Sequence, residues 1–461
     1  MAEAKPAELP ITGYLDRFSA RPGESLAVKI SVPQGGRYRA RLRRVISGDP
    51  NPAGPGLRFE ELSARFDAEF QGRHQPIRLG SYALIPKAPK RAAGPITWTA
   101  LVWFQAQPKG EAVAISEERA GQRVTLSVGP HGPMAQITWE GGDRQLGLGA
   151  PLPLRRWHRL WLSADPSTGR ILLGAKCIED ASPASTREIS ASGLVLPAGE
   201  GVVMIAAREA TAPTAHLTGK IEEPAILGGF RAEWPRPDQP LSAASPGLIA
   251  AWDFARGIAT QRVEDIGPQA CHGELVNVPT RAVVGARWSG AEMAWRHAPA
   301  DYGAIHFHAD DLSDCGWADD FSFTVPADLR SGAYALHVSC AEGEDNIPFY
   351  VLPQRGSTTA PIAFLASTFT YQAYANHSRG NADAAYRARV AAWGAYPHNP
   401  DDFPIYGRST YNRHPDNSGI AFSSRLRPIL TMRPGFLTFN DAKGSGLRHY
   451  PADTHILAWL E

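Results

Sequence analysis

The polar stretch from residue 409 to residue 428, STYNRHPDNSGIAFSSRLRP, concentrates side chains that can ligate a metal, transfer a proton or bind an anion. Tyr411, His414 and Asp416 lie within six positions of one another. Their phenol, imidazole and carboxylate groups are typical of reactive sites. The stretch has almost no hydrophobic periodicity, which indicates a loop. Its composition fits either a reactive site or a solvated polar loop.

A second polar loop, TFTYQAYANHSRGN at residues 368–381, follows the apolar run PIAFLAS at 361–367. The apolar run predicts a buried parallel strand that opens an α/β domain. Loops at the carboxyl ends of such strands gather around a crevice where ligands bind. The loop offers four candidate side chains: Tyr371, Tyr374, Asn376 and His377. We predict a pocket shared by the two polar loops; ordinary surface loops with partly buried tyrosines are the alternative.

Arginines are also concentrated in this region. They are Arg408, Arg413, Arg425, Arg427 and Arg433. The sequence between residues 408 and 433 contains one acidic residue, Asp416. Such a set could bind an anion or a phosphate. The chain has no GxxxxGK[ST] loop, however, and little of the aromatic interleaving that marks single-strand nucleic-acid grooves. We therefore favour a structural or subunit-interface role for these arginines.

The segment IHFHADD at residues 305–311 places His306 and His308 on one face of a predicted strand, with Asp310 and Asp311 just beyond. Two histidines in this spacing, with carboxylates, can bind a metal. No third ligand can be placed from the sequence, so structural histidines are the favoured interpretation. HExxH, GxSxG, GxGxxG and zinc-type cysteine spacings are all absent from the sequence. A serine or cysteine nucleophile therefore has no support.

The elements that must position these groups belong to a long, globular chain. Its 461 residues suggest two to four domains, and 44 glycines with 39 prolines favour many short strands. A net charge of +1 provides no field that would recruit nucleic acid or an anionic membrane. The four cysteines show no CxxC spacing, and the sequence contains neither a signal peptide nor a long apolar run. We expect a soluble cytoplasmic protein with reduced thiols.

The pattern along the chain predicts a mainly β protein that ends in an α/β piece. Residues 1–80 and 296–355 each hold too few strands for a core, so we predict that they form two parts of one Ig-like β-sandwich. Residues 81–295 predict a laminin-G or concanavalin-like jelly roll inserted between them. Residues 356–461 predict the N-terminal part of an incomplete α/β domain of the glutamine-amidotransferase type.

Some elements can be predicted individually. ITWTALVWF, residues 96–104, is apolar on both faces and indicates an interior strand. WHRLWLSADPSTGRILLGAKC, residues 157–177, predicts a β-hairpin with a DPSTG turn. Asp383 predicts the N-cap of a helix that presents Tyr386, Val390 and Trp393 on one face.

Several stretches together resemble one family, the large (beta) subunit of N,N-dimethylformamidase. They are GYLDRFSARPGESLAVKISV, RRVISGDPNPAGPG, GLIAAWDF, HGELVNVPTRAVVGARW, HFHADDLSDCGWADDFSFTVP, LASTFTYQAYAN and STYNRHPDNSGIAFSSRLRPILTMRP. The resemblance runs in order from about residue 11 to residue 461. It implies a hydrolase that cleaves N,N-dimethylformamide, or a related small amide, to formate and dimethylamine.

The resemblance also implies a mononuclear non-haem iron, expected as Fe³⁺, held by one tyrosine, one histidine and one glutamate. Tyr411 matches the tyrosine ligand. Tyr371 resembles a second tyrosine of the pocket, and we predict it as catalytic and, with Asn376, as substrate-binding. The histidine and glutamate ligands belong to a His-x-Glu element expected beyond residue 461. The chain is therefore expected to be truncated at its C-terminus and inactive alone.

The implied chemistry is consistent with general principles. A tyrosine phenol has a reference pKa of about 10, so it ligates at neutral pH only where a strong positive charge favours its deprotonation. An iron centre with three protein ligands keeps open positions for the amide carbonyl and water. The resemblance further implies a small partner subunit in a hetero-oligomer.

Two readings from other classes stay open. The jelly roll could bind carbohydrate or protein beside a vestigial α/β piece, or it could serve only to build an oligomer.

Overall fold

The computed structural model describes residues 7–234, 239–358, 360–441 and 444–461. The chain forms two compact units. The first unit comprises residues up to 78 together with 312–413 and 418–461, and the second unit comprises residues 79–311 and 414–417. The predicted insertion covered residues 81–295. Residues 1–6 of the first predicted domain segment lie outside the described residues.

The strands are named in chain order. Those before residue 79 are β1 (Thr12–Leu15), β2 (Ser19–Ala20), β3 (Ser25–Ser31), β4 (Gly36–Gly48), β5 (Leu57–Glu61) and β6 (Asp67–Gly72). Those of the second unit are β7 (Tyr82–Ile85), β8 (Ile96–Trp103), β9 (Ala112–Arg119), β10 (Gln122–Gly129), β11 (Gly132–Trp139), β12 (Gly142–Gly147), β13 (His158–Asp165), β14 (Arg170–Cys177), β15 (Ser185–Ser190), β16 (Gly201–Ile205), β17 (Gly219–Gly228), β18 (Leu248–Asp253), β19 (Arg262–Asp265), β20 (Gly273–Val276), β21 (Thr280–Val283) and β22 (Ala304–Phe307). Then follow β23 (Phe321–Thr324), β24 (Gly332–Cys340) and β25 (Gly343–Val351).

The first unit contains two sheets, with orders β1-β3-β23 and β2-β25-β24-β4-β5, and β6 pairs with β4. Alternation along β3 and β4 turns their apolar residues to one side. There they form a core with side chains of β24 and β25: Leu26, Val28, Ile30, Leu42, Leu336, Val338 and Phe349 are all buried. Strands from before and after the second unit thus complete one core, because neither set could bury its apolar face alone.

The strands of the second unit form one continuous sheet, in the order β12-β11-β10-β9-β16-β7-β20-β19-β18-β17-β8-β13-β14-β15, with β22 paired to β17 and β21 paired to β22. Strands β9 to β12 pack against β8 and β13 to β15 around a large apolar core. β8 lies between β17 and β13 and is buried along almost its whole length, which confirms the predicted interior strand. β13 and β14 pair as the predicted hairpin, from His158 opposite Cys177 to Asp165 opposite Arg170. The prediction of a mainly β architecture is confirmed.

The helices are short. The α-helices are α1 (Thr368–Ala373), α2 (Ala384–Ala392) and α3 (Tyr450–Leu460), and the 3₁₀ helices are Pro299–Tyr302, Pro404–Tyr406 and Leu430–Met432. The predicted cap of α2 is confirmed, because the Asp383 carboxylate accepts a hydrogen bond from Tyr386 N at 2.8 Å. Among the described residues, none of the helices has the length and apolar character needed to cross a membrane.

The predicted strand at residues 361–367 is wrong. These residues form no strand, and the described residues after β25 contain none at all. A parallel strand needs a neighbour to satisfy its backbone donors, and an apolar run does not supply one. Phe364 and Ala366 instead pack beside Tyr371, while Leu365 is 91% exposed. The α/β prediction for residues 356–461 therefore has no support from this segment.

Candidate functional site

Tyr371 lies on α1 in a buried apolar cluster of the first unit and is only 1% exposed. Its hydroxyl donates to the Asp453 carboxylate and lies 3.3 Å from the Tyr350 hydroxyl. Burial raises the pKa of Tyr371, and the hydrogen bond to Asp453 raises it further. Tyr371 is therefore a neutral phenol whose proton is already held by a neighbouring carboxylate.

Tyr411 has the opposite environment, since 58% of it is exposed. Its backbone is fixed at the end of α1: Tyr411 N donates to Ser409 Oγ at 3.1 Å, and that hydroxyl donates to Ala373 O at 2.7 Å. The Tyr411 ring stacks on Tyr374, with centroids 3.9 Å apart and planes at 9°. The phenol is thus held by its turn and its ring while its face stays open to solvent.

Around this pair lies a set that we call the tyrosine–histidine cluster: Tyr374, His377, Tyr411, Arg448 and His449. The Arg448 guanidinium lies 3.9 Å from the centre of the Tyr374 ring, and the His449 ring lies 4.5 Å from it. The centre of the Tyr371 ring is 6.5 Å from that of His449. Tyr371 and Tyr411 are therefore connected through His449 and Tyr374.

The electrostatics of the cluster favour loss of one phenolic proton. Tyr411 donates a hydrogen bond to Tyr374, which lowers the pKa of Tyr374, and the Arg448 charge lowers it further. The same hydrogen bond raises the pKa of Tyr411, the donor. The two hydroxyls and the guanidinium thus stabilise a negative charge on a phenolic oxygen.

His449 is a neutral imidazole at the edge of the tyrosine–histidine cluster. Burial lowers its pKa to about 4, and the charges of Arg448 and His377 act in the same direction. Its backbone has φ of 55°, at the start of α3. His449 Nε2 and His377 Nδ1 are buried and have no hydrogen-bond partner among the described residues. The cluster therefore offers an accessible phenol oxygen, a donor that suits iron, beside two neutral imidazole rings.

Asn376 is 1% exposed. Its amide nitrogen donates to Tyr406 O and Pro428 O, each at 2.9 Å, and its amide oxygen accepts from Leu430 N at 2.8 Å. With φ of 55°, it adopts the left-handed conformation that asparagine tolerates well. Both N–H groups are engaged, so this geometry favours a role in holding three loop segments together. The predicted contact between Asn376 and substrate stays a prediction.

Two of the clustered arginines hold the backbone. Arg427 is 1% exposed, and its guanidinium donates to Tyr406 O at 3.1 Å and to Arg408 O at 2.9 Å. A Cβ at Gly407 would lie 2.1 Å from Arg427 Nη1, and Gly407 has φ of +75°, so only glycine suits this position. Arg433, 2% exposed, binds both oxygens of Asp345 at 2.8 Å. For these two residues the structural interpretation is confirmed.

His414 and Asp416 follow Tyr411 closely in the chain, but they belong to the second unit. There they lie among His306, His308 and the two aspartates after β22. His414 and Asp416 are more than a hundred positions from His306 and His308 in the sequence. Residue spacing alone therefore could not show that they lie beside the two histidines. The polar stretch at 409–428 thus contributes to two different clusters.

The chain is thus a mainly β protein of two units. Strands before residue 79 and after residue 320 share one core, and an exposed tyrosine beside a cation marks a candidate metal site in loops. Residues 280–461 match the family described as "N,N-dimethylformamidase beta subunit-like, C-terminal". The chain is 32% identical over 493 residues to the N,N-dimethylformamidase beta subunit of Paracoccus aminophilus, and 31% identical over 501 residues to that of an Alcaligenes species. Each alignment covers 98% of this chain and 63% of the relative. The chain is therefore similar to N,N-dimethylformamidase beta subunits along almost its whole length, as the resemblance in its sequence predicted, and it spans 63% of the length of these relatives.

Solved structures resemble the chain only weakly. Domains of the mouse laminin alpha1 chain match with a TM-score of 0.26 and 12% identity, covering 63% of this chain and 85% of that one. A pentraxin from Limulus polyphemus matches with a TM-score of 0.27 and 9% identity, covering 42% of this chain and 78% of that one. Scores this low carry no argument about function.

Proposed function

We propose that this chain belongs to an amidohydrolase subunit that acts on N,N-dimethylformamide or a related small amide and yields formate and dimethylamine. The similarity to dimethylformamidase beta subunits over 98% of the chain supports this proposal. The observation that carries it at the level of residues is the exposed Tyr411 phenol, which is stacked on Tyr374 beside Arg448.

In this proposal Tyr411 is one ligand of a mononuclear non-haem iron, expected as Fe³⁺, and the remaining ligands come from outside this chain. When bound, a ferric ion would supply Lewis acidity toward the amide carbonyl. Tyr411 can approach such an ion because its hydroxyl is accessible, and Arg448 favours negative charge on the phenol pair. Without its remaining ligands the chain alone is expected to be inactive.

Tyr371 is proposed to form a wall of the pocket, and its catalytic role stays a prediction. Its proton is held by Asp453, so its ring is better placed than its hydroxyl to shape a cavity for a small apolar amide. A tertiary amide such as dimethylformamide has no N–H to donate. Recognition must then rest on its carbonyl oxygen and on the fit of its methyl groups.

We further propose a hetero-oligomer with a small partner subunit and a cytoplasmic location. The relatives are named as beta subunits, which supports a partner for this chain. The alternative, a jelly roll that binds carbohydrate or protein, stays a prediction that glycan-array binding by the intact chain would test.

The test compares Tyr411→Phe with Tyr374→Phe in the complete subunit, assembled with its partner. We expect Tyr411→Phe to lose most of the bound iron, the visible phenolate-to-iron absorption and the dimethylformamide turnover. Tyr374→Phe removes the stacked neighbour's hydroxyl but no ligand, so iron content should persist. Full iron content and full rate in Tyr411→Phe would overturn the ligand assignment.

A further inference from the structure

The second unit contains a compact set of histidines and aspartates that we call the histidine–aspartate cluster. Its members are His306, His308, Asp310, Asp311, His414 and Asp416. His306 and His308 share a face at the end of β22, and the others come from the residues just after β22 and from the 414–417 segment. His308 is 1% exposed and His414 is 4% exposed. Such burial of several ionisable groups calls for a physical explanation.

Two groups within the cluster have the spacing of metal ligands. They are His306, His308 and Asp416, and His308, Asp311 and His414; in each group the candidate donor atoms all lie within 4.8 Å of one another. The His308 and His414 rings stack with centroids 3.5 Å apart and planes at 7°. Both groups share His308, so the surrounding contacts must decide between them.

Distances favour the second group. The Asp311 carboxylate approaches both imidazoles, with Oδ2 3.3 Å from His308 Nδ1 and Oδ1 3.7 Å from His414 Nε2. The second distance is too long for a hydrogen bond. Neighbouring ligands around an ion with bonds of about 2.0–2.2 Å lie about 3–3.5 Å apart. The Asp311–His308 contact is within hydrogen-bond range, and both distances are also close to those between two ligands of one ion.

Outer contacts orient this group. His414 Nδ1 lies 2.7 Å from Asp310 Oδ1, so it donates there and leaves the Nε2 lone pair directed at the Asp311 side. Ser81 Oγ donates to Asp311 Oδ2 at 2.6 Å, and the same hydroxyl accepts from His308 N at 3.1 Å. A carboxylate behind a ligating histidine is the usual arrangement in metal sites.

We propose that His308, Asp311 and His414 bind one divalent first-row transition-metal ion, with Zn²⁺ as the best fit. Two imidazole nitrogens and one carboxylate oxygen form a donor set that Zn²⁺ accepts, with at least one position left for water. The ion fastens the 414–417 segment to the end of β22, and Asp310 and Ser81 are positioning residues. His306 and Asp416, with Nε2 and Oδ2 3.1 Å apart, hydrogen-bond to each other as a neighbouring pair.

The alternative is a closed hydrogen-bonded network that needs no ion. Two measurements distinguish these explanations. Only a metal site takes up Zn²⁺ with a defined stoichiometry, and only a metal site gives the intense visible absorption of Co²⁺ bound with a low coordination number. The proposal is independent of the iron at Tyr411, so the Tyr411→Phe chain should bind Zn²⁺ here as the unchanged chain does.

The experiment uses the full chain, freed of metal with a chelator and titrated with Zn²⁺ by calorimetry and with Co²⁺ by absorption. We expect one equivalent of each ion and a rise in melting temperature on binding. Asp311→Asn and His414→Gln should abolish binding. Asp310→Asn should weaken it about 10–100-fold while keeping the stoichiometry and the Co²⁺ spectrum. The matched control is His337→Gln, which removes another buried histidine that is paired with a single carboxylate, Glu344, at 2.9 Å.

Two results would overturn the proposal. One is the absence of Zn²⁺ and Co²⁺ uptake by the unchanged, folded chain. The other is a loss of binding in Asp416→Asn as large as that in Asp311→Asn, which would assign the ion to the other group. Asp310→Asn removes no ligand, so it decides the matter if the ligand variants fail to fold: unchanged affinity in this variant would count against the proposal.

Discussion

The sheet of the second unit and the later segments of the first unit, residues 361–413 and 418–461, bury polar groups in different ways. In the hairpin of β13 and β14, backbone groups pair with each other and the side chains form an apolar core. In these segments of the first unit, buried polar side chains bind the backbone instead, as Asn376, Arg427 and Arg433 do. A stretch with a polar sequence can therefore be as buried as a strand, and its polar residues can be scaffold.

The largest expected effect tests whether that polar scaffold is essential. Arg433 and Asp345 form a buried bidentate pair, and Arg433 Nη2 also donates to Gly13 O at 2.7 Å. Arg433→Met leaves the Asp345 carboxylate buried without its cation, so we expect a loss of about 3–5 kcal/mol in the free energy of unfolding of the first unit. Urea unfolding followed by tryptophan fluorescence measures it.

The matched control is Arg387→Met. Arg387 also pairs with a carboxylate in the bidentate manner, that of Asp402, but at the surface, so no measurable change in stability is expected. The double replacement Arg433→Met with Asp345→Leu should recover much of the loss, since an apolar pair removes the unpaired charge. Equal losses from Arg433→Met and Arg387→Met would contradict the contrast between the two regions.

The second effect tests the same contrast without charge. Asn376→Ala removes three hydrogen bonds and leaves the Pro428 carbonyl and the Leu430 N–H unpaired in the interior, while Tyr406 O keeps its bond from Arg427. We expect the free energy of unfolding to fall by about 1–3 kcal/mol. Asn417→Ala is the control, because Asn417 also has a positive φ, of 72°, but is exposed. If both variants lose the same stability, the cost lies in backbone conformation and not in the buried amide.

The regular parts of the fold could be predicted because their signal is local. Alternation along β3, the apolar faces of β8 and the Asp383 cap depend on residues within one element. The segment at 361–367 shows the limit. Its apolar run has the composition of a buried strand, but strand formation requires a partner strand, which a composition does not specify.

The candidate sites show the same limit in another form. Tyr411 could be singled out by family resemblance, and its exposure is consistent with that prediction. The stacking of Tyr374 and the proximity of Arg448 could not be predicted, because they depend on how α1 and the residues before α3 pack. Likewise, His414 and Asp311 are close only through tertiary structure.

The smallest effect concerns the edge of the tyrosine–histidine cluster and its response to pH. Burial lowers the pKa of His449 to about 4, whereas an unfolded histidine titrates near 6.5. As the pH falls from about 6.5 toward 4, the unfolded chain gains a proton that the folded chain does not, so stability decreases. His449→Asn removes this contribution and tolerates the φ of 55°. The melting temperature should therefore fall less between pH 7.5 and pH 5 in His449→Asn than in the unchanged chain. His74→Asn, which removes an exposed histidine, is the control and should behave like the unchanged chain. An identical fall in all three would show that the His449 imidazole is not held neutral by its surroundings.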